Sequence, residues 1–99
     1  MSKRRVVVTG FGMITPLGLT TQESWTNILN GVSGVSCVDE FDVTDYPTKI
    51  WARVKHFSPE AYFDVKEARK MDAFSQYGVV AADDALKQSG LVIDSDNAH

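Results

Sequence analysis

The side chains able to do covalent or acid–base chemistry are few in this 99-residue chain: one cysteine, Cys37, and two histidines, His56 and His99. A nucleophilic cysteine works as its thiolate and needs a helix N-terminus or a cation to lower its pKa. Cys37 instead precedes Asp39 and Glu40, so it reads as a small packing residue. His56 follows Lys55 with no acid or nucleophile near it in sequence, which suits a surface position better than proton transfer. His99 is simply the last residue. Glu60, Asp64 and Glu67 fall where helices should start, and carboxylates there satisfy exposed amides and the positive end of the helix dipole. No catalytic residue is assigned to this segment, and no Cys/His cluster has the spacing of a metal site.

Glycines raise a second kind of chemistry. Gly10-Phe11-Gly12 after a valine run invites a pyrophosphate-binding loop. The third glycine of G-x-G-x-x-G would stand at position 15, which is Thr15; Pro16 follows, and no strand-ending acid lies about 20 residues on. A P-loop fails as well: five residues, not four, separate Gly12 from Gly18, and Leu19 stands where the lysine must be. A tight strand-to-helix loop remains, and no cofactor-binding residue is expected.

The third feature is a basic cluster. Lys66, Arg69 and Lys70 fall at i, i+3 and i+4 at the start of a long helix read from Asp64 onward. There the cations would meet the positive dipole end, at a cost of ~0.3–1 kcal/mol each that Asp64 and Glu67 offset in part. Such a placement makes sense if the cluster receives an anion, either an acidic helix or a phosphate; the alternative is a solvated charged face. The whole chain is acidic, with 13 carboxylates against 10 basic side chains and a net charge of −3, so its field does not call for nucleic acid.

The elements that must position these residues follow from pattern. Composition is that of a soluble globular domain, 43% hydrophobic and 23% charged. The basic start is followed by an apolar run of only Val6-Val7-Val8, so neither an export signal nor a membrane span is read. A single cysteine leaves no internal disulfide, which fits a reducing cytoplasm. Arg5 to Thr9 reads as a central strand covered on both faces, because its β-branched residues do not alternate with polar ones. Thr20 and Glu23 stand in capping-box register ahead of Trp25, Ile28, Leu29 and Val32, and Gly31 is placed to end that helix in a left-handed turn. Val35 to Val38 is left as strand or packed loop. Lys49 to Phe57 reads as a half-exposed strand with Ile50, Ala52 and Val54 on its apolar face, and Ser58-Pro59-Glu60 as the start of a short helical turn.

A single helix is then read from Asp64 to about Ser89, closed by Gly90. Ala68, Met71, Ser75, Gly78, Ala82, Ala85 and Ser89 recur along it in steps of three and four. The stripe is mostly small, so another backbone should approach it closely, and the helix should be buried. Leu91 to Ile93 could begin another strand before the turn signal Asp94-Ser95-Asp96-Asn97. A strand covered on both faces needs neighbours on both sides, and only weak candidates exist here, so the chain reads as one incomplete domain over residues 1–99.

Taken together, Arg4-Arg5-Val6-Val7-Val8-Thr9-Gly10 with Gly12, Pro16 and Gly18, Phe41-Asp42, and Ala68-Arg69-Lys70-Met71-Asp72 with Phe74, Gln76 and Tyr77 closely resemble the N-terminus of bacterial β-ketoacyl-acyl carrier protein synthases of the second type. The resemblance implies an α/β, thiolase-like fold in α-β-α-β-α layers, of which this chain opens the first half, and a homodimeric parent. It also implies a decarboxylative Claisen condensation carried by a cysteine and two histidines that family members hold beyond position 99; neither Cys37 nor His56 corresponds to them. The resemblance further implies that Lys66, Arg69 and Lys70 belong to the patch that docks the acidic acyl carrier protein, whose 4'-phosphopantetheine arrives with it. A non-catalytic partner of the same fold, such as a chain-length factor, and a polyketide-type ketosynthase are the alternative members. A short, self-sufficient binding module using only the basic cluster is the alternative of another class.

Overall fold

The computed structural model describes residues 3–95. Its elements are α1 (Thr21–Leu29), β1 (Val35–Cys37), β2 (Ile50–Ala52), a 3-10 turn (Pro59–Ala61), α2 (Val65–Arg69) and α3 (Ala73–Ser89).

The entry to α1 is built by short-range chemistry. The Thr20 hydroxyl accepts from the Glu23 amide at 3.0 Å, as the capping register requires. At the other end Val32 N–H donates to Asn27 O at 2.9 Å and Gly31 N–H to Ile28 O at 3.0 Å, with Gly31 at φ 71°. These paired bonds satisfy the last carbonyls and need the left-handed backbone that glycine adopts without strain. The preceding loop closes as a two-residue hairpin, with reciprocal Thr15–Gly18 backbone bonds of 2.9 and 3.1 Å around Pro16-Leu17.

Side chains of α1 tie that loop down. Ser24, fully buried, shares a 2.7 Å hydroxyl–hydroxyl bond with Thr15, and Asn27 Nδ2 donates to Leu17 O at 2.6 Å.

The stretch Val35–Cys37 is a strand, antiparallel to β2 with Ser36 opposite Trp51. Only three residues of the expected Lys49–Phe57 strand join the ladder. The face is also reversed: Trp51 is the half-covered residue of β2, while Ile50 and Ala52 are exposed. Trp51 is drawn in by Phe41, which meets it edge-on at 6.0 Å, and by the Arg53 guanidinium at 5.8 Å above its ring. Lys55, just beyond β2, reaches the carbonyls of Pro16, Gly34 and Arg53 at 3.3–3.5 Å, joining the proline loop to the hairpin.

The expected close approach to the small stripe is present, and the approaching backbone is the glycine loop. A Cβ on Gly12 would lie 2.1 Å from Ala81 O, and one on Gly10 would lie 2.3 Å from Ala85 O. Phe11 N–H donates to Gln88 Oε1 at 2.7 Å, pinning the same segment to α3. Phe57 stacks on Tyr62 at 5.2 Å and meets Tyr77 edge-on at 4.9 Å, which attaches the post-β2 chain to the other end of α3.

Several expectations are corrected. Arg5 to Thr9 forms no strand, and Val6, Val7 and Val8 are 94%, 71% and 83% exposed, because no described segment runs alongside to complete a ladder. The helix read from Asp64 to Ser89 is two helices, broken at Lys70-Met71-Asp72. Asp72 takes an extended backbone (ψ 161°) and starts α3 afresh, while Gly90, at φ 73°, ends it where expected. Asp72 takes the N-cap position of α3 without a side-chain capping bond, and its residue type is weak in a helix interior.

Burial of α3 is confined to Gln76 and Val80; Phe74 and Val79 are exposed, and nothing lies within 4 Å of a Cβ at Gly78. Leu91 to Ile93 is not a strand, and the turn signal at 94–97 lies partly outside the described residues, as does His99. The Cα radius of gyration is 17.9 Å, against about 13 Å for a compact domain of this length.

Candidate functional site

The basic residues belong to a five-residue helix and its cap, so their surroundings are local. Asp64 caps α2 by accepting from Glu67 N–H at 2.8 Å, with an extended backbone at ψ 164°. The 3-10 turn before it starts at Pro59, whose carbonyl accepts from Tyr62 and Phe63 N–H at 3.0 and 2.9 Å.

Lys66 and Arg69 occupy the last turn of α2 and Lys70 is its C-cap residue. The electrostatic expectation therefore changes sign for two of the three. Arg69 and Lys70 lie at the end of α2 where carbonyls point outward, and there positive charge is favoured, not opposed, while Lys66 stays two residues from the N-cap Asp64. For Arg69 and Lys70 the cost that suggested an anionic ligand disappears with the helix break.

What remains is a display of charge. Lys66, Arg69 and Lys70 are all exposed. Among the described residues the two ion pairs are Arg53 with Glu40 and Lys87 with Asp83, so none of the three cations is neutralised by a salt bridge. Two open depressions flank them. One, of about 360 Å³, is lined by Pro59, Phe63, Val65 and Ala68 together with Glu60, Arg69 and Gln76. The other, of about 450 Å³, is lined by Phe63, Met71 and Val79 together with Glu67 and Lys70. Each thus pairs apolar walls with one cation and one carboxylate, a mixed surface of the kind that protein partners contact.

Gln76, quoted in the sequence only as part of the family pattern, was given no role there. It is 8% exposed, and its Nε2 donates to Ala68 O at 3.1 Å, across the break from α3 to the last turn of α2. It lay outside the small-residue stripe, and a bond across a helix break could not be foreseen where one continuous helix was expected.

Cys37, expected to be a small packing residue, is instead exposed on β1, whose three residues are all uncovered, and its thiol is in no disulfide. His56 is exposed and holds a left-handed backbone, φ 64°, in a stretch facing the Thr15–Gly18 hairpin. The two residues are brought to no common site, and no group of three or more His, Cys, Asp or Glu side chains among the described residues could hold a metal ion. No helix among the described residues is long and apolar enough to cross a membrane.

The mixed helix–strand arrangement superposes on a solved structure, the ishigamide ketosynthase/chain length factor, with a TM-score of 0.73 and 30% identity over 92% of this chain and 23% of that one. That places the segment in the α/β, thiolase-like class of ketosynthases. The chain belongs to the family described as Beta-ketoacyl synthase, N-terminal domain, which matches residues 3–99. It is 49% identical over 98 residues to the 3-oxoacyl-[acyl-carrier-protein] synthase 2 of Vibrio cholerae serotype O1, covering 99% of this chain and 24% of that protein. The enzyme of the same name from Coxiella burnetii is 43% identical over 98 residues, and that of Staphylococcus aureus strain COL 39% over 95. The chain thus spans about a quarter of the length of the curated relatives it matches.

Proposed function

We propose that this chain is the opening part of the N-terminal domain of a 3-oxoacyl-[acyl-carrier-protein] synthase of fatty acid biosynthesis, and that its part in the reaction is to dock the carrier protein. The observation that carries this is the match along 3–99, with relatives of that name up to 49% identical. The exposed, unneutralised Lys66, Arg69 and Lys70 supply the docking charge. The protein is a cytoplasmic homodimer without a resident cofactor, and the 4'-phosphopantetheine arm is brought by its carrier.

The chemistry proposed for the whole protein is an acyl transfer followed by condensation. A cysteine thiolate outside these residues displaces the carrier thiol and takes the acyl group as a thioester. Malonyl-carrier then loses its carboxyl carbon as carbon dioxide, and the electron pair of that bond becomes an enolate, held by two histidine donors. The enolate carbon attacks the enzyme thioester, the new carbon–carbon bond forms, and the cysteine leaves as thiolate. Residues 3–95 contribute the surface that delivers both carrier-borne substrates, and by themselves catalyse nothing.

Docking through charge has a specific signature. In a full-length synthase carrying this segment, Lys66→Glu with Arg69→Glu raises KM for carrier-borne substrate by about tenfold at low salt, and the effect shrinks as salt screens it. A KM unchanged at low salt refutes the docking role. A second reading, a non-catalytic chain-length partner, is favoured by one observation, the name of the structural neighbour. Sequence beyond these residues separates the two, since the active enzyme must hold the cysteine and both histidines.

A further inference from the structure

We infer that Gln76 is a positioning residue for the docking surface: its side chain holds the cation-bearing α2 at a set angle to α3 without touching the partner. The inference rests on the carrier-docking role proposed above.

α2 is five residues long, too short to be held by its own hydrogen bonds, since helix nucleation alone is unfavourable and short helices depend on what they pack against. Its last turn must therefore be oriented from outside. The backbone links across the break are weak: Met71 N–H reaches Ala68 O at 3.3 Å, and the Asp72 side chain makes no capping bond at the start of α3. Gln76, one turn into α3, sends Nε2 back to that same Ala68 carbonyl at 3.1 Å.

Ala68 lies between Lys66 and Arg69, the two cations of that last turn. Gln76 itself is firmly placed: it is 8% exposed, and its own N–H donates to Asp72 O at 3.1 Å. A buried amide is kept where its hydrogen bonds are made, and here the bond joins the two helices that the break would otherwise leave free to pivot. The separation of Lys66 and Arg69 from α3 is thus set by a neutral side chain, and the geometry of the charges can be altered without altering the charges.

The test uses a full-length synthase carrying this segment and the substitution Gln76→Met, which keeps length and removes both donors. KM for acyl-carrier substrate should rise by about three- to tenfold, the loss expected for one hydrogen bond that orders a docking surface. Turnover of a carrier-free acyl thioester, and the salt dependence of the carrier KM, should stay as in the parent because no charge has changed. An unchanged carrier KM overturns the inference. So does an equal loss with both substrates, which would mean that Gln76 supports the fold generally.

If Gln76→Met does not fold, Gln76→Leu carries the same test: it too is neutral and removes the donors, and the same rise in carrier KM is expected. Failure of the docking role itself is told apart by Lys66→Glu with Arg69→Glu, which would then leave KM unchanged. A silent Gln76 beside an effective charge reversal refutes the positioning role alone.

Discussion

Replacing Gly12 with alanine adds one methyl group where the added carbon would come nearest to backbone of any described glycine. Its Cβ would stand 2.1 Å from Ala81 O, 2.9 Å from Asp84 Cβ and 3.0 Å from Ala81 C. Carbon and oxygen do not approach within 3.0 Å in such a contact, so the loop and α3 must separate by about 0.9 Å. Neither side yields easily: the obstacle is helix backbone, and the loop is held by the 2.7 Å bond from Phe11 N–H to Gln88 one residue away.

Overpacking of a tight contact costs roughly 1–3 kcal/mol, and the backbone location puts this case at ~3. In a full-length synthase carrying this segment that corresponds to a fall in thermal midpoint of roughly 6 °C, at ~2 °C per kcal/mol for a large domain. The assay is thermal unfolding by circular dichroism or calorimetry, with Gly78→Ala as comparison. Gly78 also lies on α3, but a Cβ there meets nothing within 4 Å among the described residues. Alanine in a helix interior should then stabilise by ~0.5–1 kcal/mol. A neutral Gly12→Ala would refute the packing of the glycine loop on α3. A destabilising Gly78→Ala would show that polypeptide outside these residues also packs on the small stripe.

The remaining predictions concern the exposed faces and one carboxylate. Residues 1–99, purified alone, should melt broadly without a cooperative transition by circular dichroism, because Val80 is the buried hydrophobic side chain among the described residues while Val6 and Val8 are more than four-fifths exposed; a sharp melt at monomer size on a sizing column would contradict this and favour the self-sufficient binding module. Asp42 should titrate below the ordinary aspartate range, since the Thr44 hydroxyl and then the Thr44 N–H donate to its carboxylate. Whatever stability this contributes is present above the unfolded pKa and lost as pH falls through the lowered one. Thr44→Val should bring the Asp42 titration, followed by carbon-detected NMR, part of the way back up, because the N–H bond survives; an unmoved titration would mean the hydroxyl does not donate.

Much of the local structure was legible because its causes are local. Thr20 with Glu23, Gly31, Gly90 and Asp64 specify caps through bonds spanning three to five residues, and each is found where the sequence put it. The close approach to the small stripe was legible too, since lost side-chain volume must be filled by something. The break at Lys70-Met71-Asp72 was not read. The i, i+3, i+4 spacing runs through it without a fault, and only Asp72 marks it, a residue equally at home on a solvated helix face.

By itself the sequence determined which family the segment resembles, where its helices begin and end save at that break, and which side chains carry charge to the surface. Tertiary structure decided which backbone meets α3, which face of β2 is covered, and what the basic cluster means. Arg69 and Lys70 changed from opposing a helix dipole to being favoured by it, with no change in their spacing. The reason is that a dipole belongs to the helix as folded, and α2 runs only from its Asp64 cap to Arg69, with α3 starting separately at Ala73.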